Sequence, residues 1–357
     1  LTDAAATERR EVQRILAEVA AAFGSIKSDL AEAVQTLGRI DAIQARVLFG
    51  RLIDGLLLEP GDGTALVLNH ARHPLLDERL QALRAEVLGE KGRDGRTQSV
   101  VPLDFEFPGS AKTLLISGPN AGGKTIVLKT IGLMVLMCYQ GIPIPVASGS
   151  TVPWFDHVWC RIGDDQDVSA DLSTFSGAMA TTARLFEEAG PTSLVIYDEL
   201  GSGTDPLEGA ALGCAVLEAL TAKGCRTVAT THLASIALAA SSADEMDNAA
   251  MEFDESRGQP TYTIRMGRPG RSRGLEIASA MGLPASIVEH ARNLLGGHHL
   301  DLDRRLKRLE ELEGELINEK IEVSREKTVA AAATARAEAE RRRLEEQRQE
   351  IPSLLED

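Results

Sequence analysis

Eight residues, Gly118-Pro119-Asn120-Ala121-Gly122-Gly123-Lys124-Thr125, limit the folds open to this chain more than any others. They stand between the apolar run Leu114-Leu115-Ile116 and a stretch of helical character from Thr125 to Cys138. The octapeptide matches G-x-x-x-x-G-K-[S/T], and a buried strand before it and a helix after it are the flanks that the pattern requires. Each residue type answers to the chemistry of a phosphate. Glycines let backbone N–H groups close on the oxygens, the helix N-terminus adds its dipole, Lys124 reaches the β and γ oxygens, and the Thr125 hydroxyl ligates Mg²⁺. The implied ligands are ATP or ADP and Mg²⁺, held along residues 118–125. The bland alternative is a chance glycine-rich turn, and a second signal weighs against it.

That signal is Leu194-Val195-Ile196-Tyr197-Asp198-Glu199, an apolar strand ending in two acids. Such a pair sets one carboxylate, Asp198, near the Mg²⁺ shell and the next, Glu199, near an attacking water as general base. Paired acids after a strand are common at the start of surface loops. Downstream of a phosphate loop they carry much more weight.

Between about Gly61 and Gly296 short apolar runs alternate with helical stretches: Thr113 to Ser117 then Thr125 to Cys138, Ser193 to Tyr197 then Leu207 to Leu220, and Thr227 to Thr231. Short buried strands alternating with helices predict an α/β fold with a mainly parallel sheet covered on both faces. Before it, apolar residues recur at helical spacing in two runs, Val12, Ile15, Leu16 and Val19, then Leu30, Val34, Leu37 and Ile40, with Ser28 as a helix cap between them. Turn residues at Glu59-Pro60-Gly61-Asp62-Gly63 mark a boundary. Beyond Gly296-Gly297, Leu302, Leu306, Leu309, Leu312 and Leu316 step by three or four among charged residues, which predicts a long amphipathic helix, either a dimer seam or a solvated charged helix. The expected organisation is a helical segment over 1–59, a nucleotide-binding domain over 60–296 and a long helix over 297–357.

Composition narrows the function classes. A chain of 357 residues with 43% hydrophobic residues is long enough for about two domains with a sizeable core, and 4% aromatic residues favour helices over β-sandwich cores. The net charge of −15 opposes a broad surface that tracks nucleic-acid phosphates, so any DNA contact is local or lies elsewhere. Cys138, Cys160, Cys214 and Cys225 form no CxxC pair, which suggests neither zinc nor disulfides and fits a reducing, cytoplasmic setting. The most apolar helix, from Ile126 to Cys138, is short and interrupted by Lys129, so no membrane span is expected. The chain starts at Leu1 without Met and stops in a charged run at Asp357, and it is read as a fragment of a longer protein.

The stretch Asp198-Glu-Leu-Gly-Ser-Gly-Thr204-Asp-Pro-Leu-Glu208-Gly209 closely resembles the signature of the MutS family, whose ATPase belongs to the ABC-like P-loop group. Gly118-Pro119-Asn120 through Thr125 resembles that family's phosphate loop, Asp171-Leu172-Ser173-Thr174-Phe175 its Ser-Thr-Phe loop, and Ala229-Thr230-Thr231-His232 its switch after the next strand. The resemblance covers about Thr64 to Gly296, with Arg72-His73-Pro74 near its start and Pro269-Gly270-Arg271 through Leu283-Pro284 near its end. Thr125, the Leu-Ser-Thr-Phe-Ser run and Gly-Thr-Asp-Pro-Leu-Glu favour the second bacterial type, MutS-II.

The resemblance implies a homodimer whose ATPase domains meet head to tail, with helices of a lever or clamp module before the ATPase. Ser173 of one chain then acts in trans on the γ-phosphate held by Lys124 of the other, and residues 201–205 cross the interface. His232 positions the attacking water or reports the γ-phosphate, or is a satisfied histidine at a strand end. For MutS-II proteins the implied substrates are branched recombination DNA or stalled ribosomes, with cleavage left to a separate Smr nuclease domain. A condensin-like structural module, or a dimerisation module with weak hydrolysis, is the alternative. Val100-Val101-Pro102 stands where the family packs on adenine but lacks an aromatic residue. His298-His299 with Asp301 and Asp303 reads as a solvated helix start rather than a metal cluster, and Arg265, Arg268, Arg271 and Arg273 form a concentrated basic stretch, read as a flexible surface loop, an interface or a phosphate contact.

Overall fold

The computed structural model describes residues 2–61, 63, 65–89, 100–107, 109–119, 122–163, 174–254, 259–270 and 274–294, with isolated helical positions between 308 and 334. In chain order the elements are α1 (Thr2–Ile53), β1 (Val67–Ala71), α2 (Gln81–Leu88), β2 (Leu103–Glu106), β3 (Thr113–Ser117), α3 (Lys124–Tyr139), β4 (His157–Arg161), α4 (Thr174–Glu188) and β5 (Ser193–Tyr197). They continue with α5 (Pro206–Ala222), β6 (Arg226–Thr230), α6 (Ala234–Ser241), β7 (Met246–Asp254), β8 (Gln259–Met266), α7 (Gly274–Ala280) and α8 (Ala285–Leu294). Strands β1 and β2 form a small antiparallel pair, and the main sheet has six strands in the order β4-β5-β6-β3-β7-β8. β3 runs parallel to both β6 and β7, while β8 returns antiparallel to β7. Every residue of β3 and β5 is buried, as expected of strands covered on both faces, and the fold is the expected α/β type with a mostly parallel sheet.

Two compact units alternate along the sequence, one made of residues 1–110, 125–162 and 189–196, the other of 111–124, 163–188 and 197–357. In the first, the two helices expected before residue 59 are one helix of 52 residues, and Ser28 lies inside it instead of capping a new one. Helix propagation explains the difference: runs rich in Ala, Glu, Leu and Arg over 8–22 and 30–33 lie on either side of the weaker 23–29 stretch, and extending a formed helix outweighs one side-chain cap. Most of α1 keeps its apolar stripe exposed, including Val12, Val19, Phe23, Leu30 and Leu37. Its C-terminal end is held: Gly50 sits where a Cβ would come within 2.6 Å of Pro143 Cγ, and Arg72 donates to the Ile53 carbonyl at 2.5 Å and to Asp77 Oδ2 at 3.1 Å. His73 beside it is buried, and burial together with the Lys129 charge holds its pKa below the usual value. The core of this unit includes Leu66, Leu68, Phe105, Ile131, Met134 and Leu194.

The second unit packs Leu115, Tyr197, Leu200, Leu217, Ala229 and Ile236 into one cluster. Its longest described helix, α5, begins where Asp205 accepts hydrogen bonds from the Leu207 and Glu208 amides at 2.9 and 3.2 Å, with Pro206 in the first turn. An Asp-Pro start satisfies amide donors that a helix cannot use internally, and proline lacks the donor that would be left over. Buried Thr113 and Thr221 share a 2.6 Å hydrogen bond. Of the expected C-terminal stripe, Leu312 is helical and exposed, while Leu302, Leu306, Leu309 and Leu316 lie outside the described residues. Among the described residues no helix is long and apolar enough to cross a membrane, and the four cysteines are free thiols.

Candidate functional site

The phosphate-loop motif leaves β3 at Ser117 and re-enters regular structure at Lys124, the first residue of α3. Gly118 at φ +126° and Gly123 at φ +90° occupy backbone conformations that side chains disfavour, and a Cβ on Gly122 would lie 3.1 Å from Met251 Cβ. The loop's base is clamped from the far end of the sequence. Gly270 donates through its amide to Ser117 Oγ at 2.6 Å, and a Cβ there would stand 2.6 Å from the Ser117 carbonyl and 2.7 Å from the Gly118 nitrogen. The Lys124 side chain folds over the loop, its Nζ donating to the Gly118 carbonyl at 2.6 Å. With 3% of its surface exposed, Lys124 has its pKa lowered by burial to about 8, against the opposing attraction of Glu199 and Asp198.

Those two acids sit directly after β5. Asp198 is buried, and Glu199 takes a left-handed backbone at φ +52°. Opposite them stands the last residue of β6, Thr230. Its hydroxyl donates to Asp198 Oδ1 at 2.5 Å and accepts the Glu199 amide at 2.9 Å, and its carbonyl accepts the Leu200 amide at 2.8 Å. Thr231 Oγ1 donates to the Leu200 carbonyl at 3.0 Å, and His232 follows as an exposed residue. From Glu199 the chain turns through Gly201 and Gly203, both at positive φ, to the Asp205 cap of α5. Gly201 and Gly209 approach so closely that a Cβ on Gly209 would lie 2.1 Å from the Gly201 carbonyl oxygen.

An ammonium buried beside two carboxylates, under a glycine loop at a helix start, is a site for an anion paired with a cation. The residues present fit a nucleotide phosphate and a divalent ion: Gly118, Gly122 and Gly123 bring no side chain of their own to the loop, and Lys124 lies near enough to Glu199 and Asp198 for their charges to act on it against burial.

Of the residues read from the sequence, Gly118, Pro119, Gly122, Gly123, Lys124, Thr125, Asp198, Glu199 and His232 are described, whereas Asn120, Ala121 and Ser173 lie outside the described residues. Thr125 is the second residue of α3 and half-buried. The expected adenine segment, Val100 to Pro102, leads into β2, with Val101 41% exposed. Sequence reasoning missed Tyr262 of β8. It adopts φ +61°, is 40% exposed, and its ring edge would be 3.1 Å from a Cβ on Gly123. Nothing in the pattern Pro260-Thr-Tyr262-Thr-Ile264 marks it. In the basic stretch Arg265 pairs with Glu252, and Arg271 and Arg273 lie outside the described residues, as do His298, His299, Asp301 and Asp303. Among the described residues no group of three or more His, Cys, Asp or Glu side chains is placed to hold a metal ion by itself.

Comparison with known proteins gives the family. The sequence profile of the family described as MutS domain V matches residues 114–298. Among curated proteins, the chain is similar to one named "Endonuclease MutS2" from Pelotomaculum thermopropionicum, 38% identical over 336 residues, which is 94% of this chain and 40% of that protein. Proteins of the same name from Listeria monocytogenes serotype 4a and Lactococcus lactis subsp. cremoris are 39% identical over 306 residues and 36% identical over 310 residues. These alignments cover 86% and 87% of this chain but 37% and 38% of the relatives, so the chain spans about two fifths of their length. The chain belongs to the MutS family and, within it, to the MutS2 type.

Proposed function

We propose that this chain binds and hydrolyses ATP as one half of a homodimeric engine, and that nucleotide state sets the grip of the longer protein on its substrate. The observation that carries the reading is Lys124: a buried ammonium resting on its own loop's carbonyl, coupled to Asp198 and Glu199. A phosphate oxygen replaces the Gly118 carbonyl as its partner, and loop amides bind the remaining oxygens. Thr125 and Asp198 hold Mg²⁺, which neutralises charge on the phosphates. Glu199 accepts the proton of the attacking water, and exposed His232 orients that water or senses the γ-phosphate. Tyr262, half-exposed against Gly123, offers a ring surface to the nucleotide. Ser173 of the partner chain completes the site by donating to the γ-phosphate.

The substrate proposed for the whole protein is branched recombination DNA, with the stalled ribosome as the second candidate. The nuclease chemistry in the relatives' name is proposed to reside in the part of such proteins beyond the matched two fifths. The net charge of −15 supports placing the principal nucleic-acid contacts there as well.

The test is Mg²⁺-dependent phosphate release by the purified chain. Lys124→Ala and Glu199→Gln are each expected to lower kcat by about 100-fold or more. Ser173→Ala and Lys124→Ala, each inactive alone, are expected to recover about a quarter of the wild-type rate when mixed in equal amounts, since half the dimers are then mixed and each keeps one intact site. No recovery on mixing would refute the shared site, and hydrolysis indifferent to Lys124 and Glu199 would refute the ATPase assignment.

A further inference from the structure

We infer that Thr230 is the positioning residue of the acid pair, the group that fixes where Asp198 and Glu199 point; this rests on the ATPase reading above. Thr230 is fully buried at the end of β6 and holds three consecutive residues after β5: the Asp198 carboxylate, the Glu199 amide and the Leu200 amide. Its hydroxyl has one proton, and that proton goes to Asp198 Oδ1 at 2.5 Å, while a lone pair takes the Glu199 N–H at 2.9 Å. Both directions are therefore fixed, since a carboxylate cannot donate and an amide cannot accept through its N–H. One carboxylate oxygen of Asp198 is thereby held by the end of β6, which fixes the orientation of the whole carboxylate.

The second consequence concerns the backbone. Glu199 is one of few described non-glycine residues at positive φ, a conformation that L side chains disfavour. Such a conformation persists where its surroundings fix it, and here the Thr230 hydroxyl on one side and the Thr230 carbonyl on the other bracket the Glu199 peptide. A valine in its place keeps the branched shape and strand preference but leaves the Glu199 amide and Asp198 Oδ1 without this partner. The acids keep their chemistry and lose their aim.

The experiment compares Thr230→Val with Thr230→Ser in the full chain, by steady-state ATP hydrolysis, Mg²⁺ titration, ADP binding in EDTA and crystal structures of both variants. Thr230→Val is expected to lower kcat by about tenfold or more and to raise the Mg²⁺ needed for half-maximal rate several-fold, with KM for ATP and metal-free ADP binding within about twofold; Thr230→Ser is expected to recover to within about threefold of wild type. In the Val structure Glu199 is expected to leave positive φ. An unchanged rate in Thr230→Val overturns the inference, and so does a serine variant as slow as the valine one, which would mean that the methyl packing matters and the hydroxyl does not. A wild-type chain with no turnover refutes the ATPase reading instead, and the position of Glu199 in the Val structure then decides the positioning role alone. If Thr230→Val does not fold, Thr230→Ala carries the same comparison.

Discussion

At the scale of single residues, Lys124 has the most to reveal about the site. Burial lowers its pKa from the usual 10.5 to about 8, and Glu199 and Asp198 recover part of the loss. The sign follows from proton counts: between those two values the unfolded chain holds a proton that the folded chain lacks, so folding gains stability as pH rises through that window. Nucleotide phosphates favour the ammonium, so binding takes up a proton, about 0.5 per site at pH 8 and about 0.1 at pH 7. Calorimetric titration with ADP in two buffers of different ionisation enthalpy reads that number directly, and Lys124→Arg, always charged, is expected to abolish the uptake. Identical enthalpies in the two buffers at pH 8 for the wild-type chain would show that the lysine is already charged in the empty site. The place of Lys124 at the start of a helix after a glycine loop was legible in the sequence because the motif specifies residue type and spacing together. Thr230 and Tyr262 were not, because a threonine ending a strand and a tyrosine in an edge strand have ordinary packing reasons to be there.

At the scale of elements, the turn from β5 to α5 is built on contact between two glycines. A methyl group at Gly209 would fall 2.1 Å from the Gly201 carbonyl oxygen, and that atom is backbone, with no side-chain rotamer to move out of the way. Gly209→Ala therefore forces the 201–205 segment away from α5. It is expected to destabilise the fold by about 1–3 kcal/mol, as overpacking does elsewhere. Gly190→Ala, where a Cβ would meet nothing within 4 Å, is the control and is expected to change stability by less than about 0.5 kcal/mol. Urea unfolding of both variants checks this, and equal midpoints would show that the turn is slack. The sequence marked this element well: Asp205-Pro206 signals a helix start, and α5 runs to Ala222 where the apolar pattern reached Leu220. It failed for α1, because a Ser-Asp pair looks the same in mid-helix as at a cap when strong helix formers surround it. It said nothing of β7, since Met246-Asp-Asn-Ala-Ala lacks the branched and aromatic residues of a typical strand and gains its place by pairing with β3 on one side and β8 on the other.

At the scale of the whole molecule, the proposed dimer sets net charge against nucleotide. Two copies of a chain carrying −15 each repel, so a dimer that closes over ATP must overcome that repulsion through local contacts at the shared site. Sedimentation velocity separates the two contributions. Without nucleotide or with ADP, the chain is expected to sediment as a monomer or a loose dimer; with ATP on a Glu199→Ala background, which binds but does not turn over, it is expected to form a dimer or to compact an existing one. Raising the salt from low to physiological ionic strength is expected to strengthen this dimer, because screening removes more repulsion than attraction between acidic partners. Binding to a nucleic acid has the reverse dependence, so the direction of the salt effect also distinguishes self-association from a contaminating nucleic acid bridging two chains. A species unchanged by trapped ATP would show that the nucleotide faces do not meet in this chain and would place any dimer contact elsewhere in the protein.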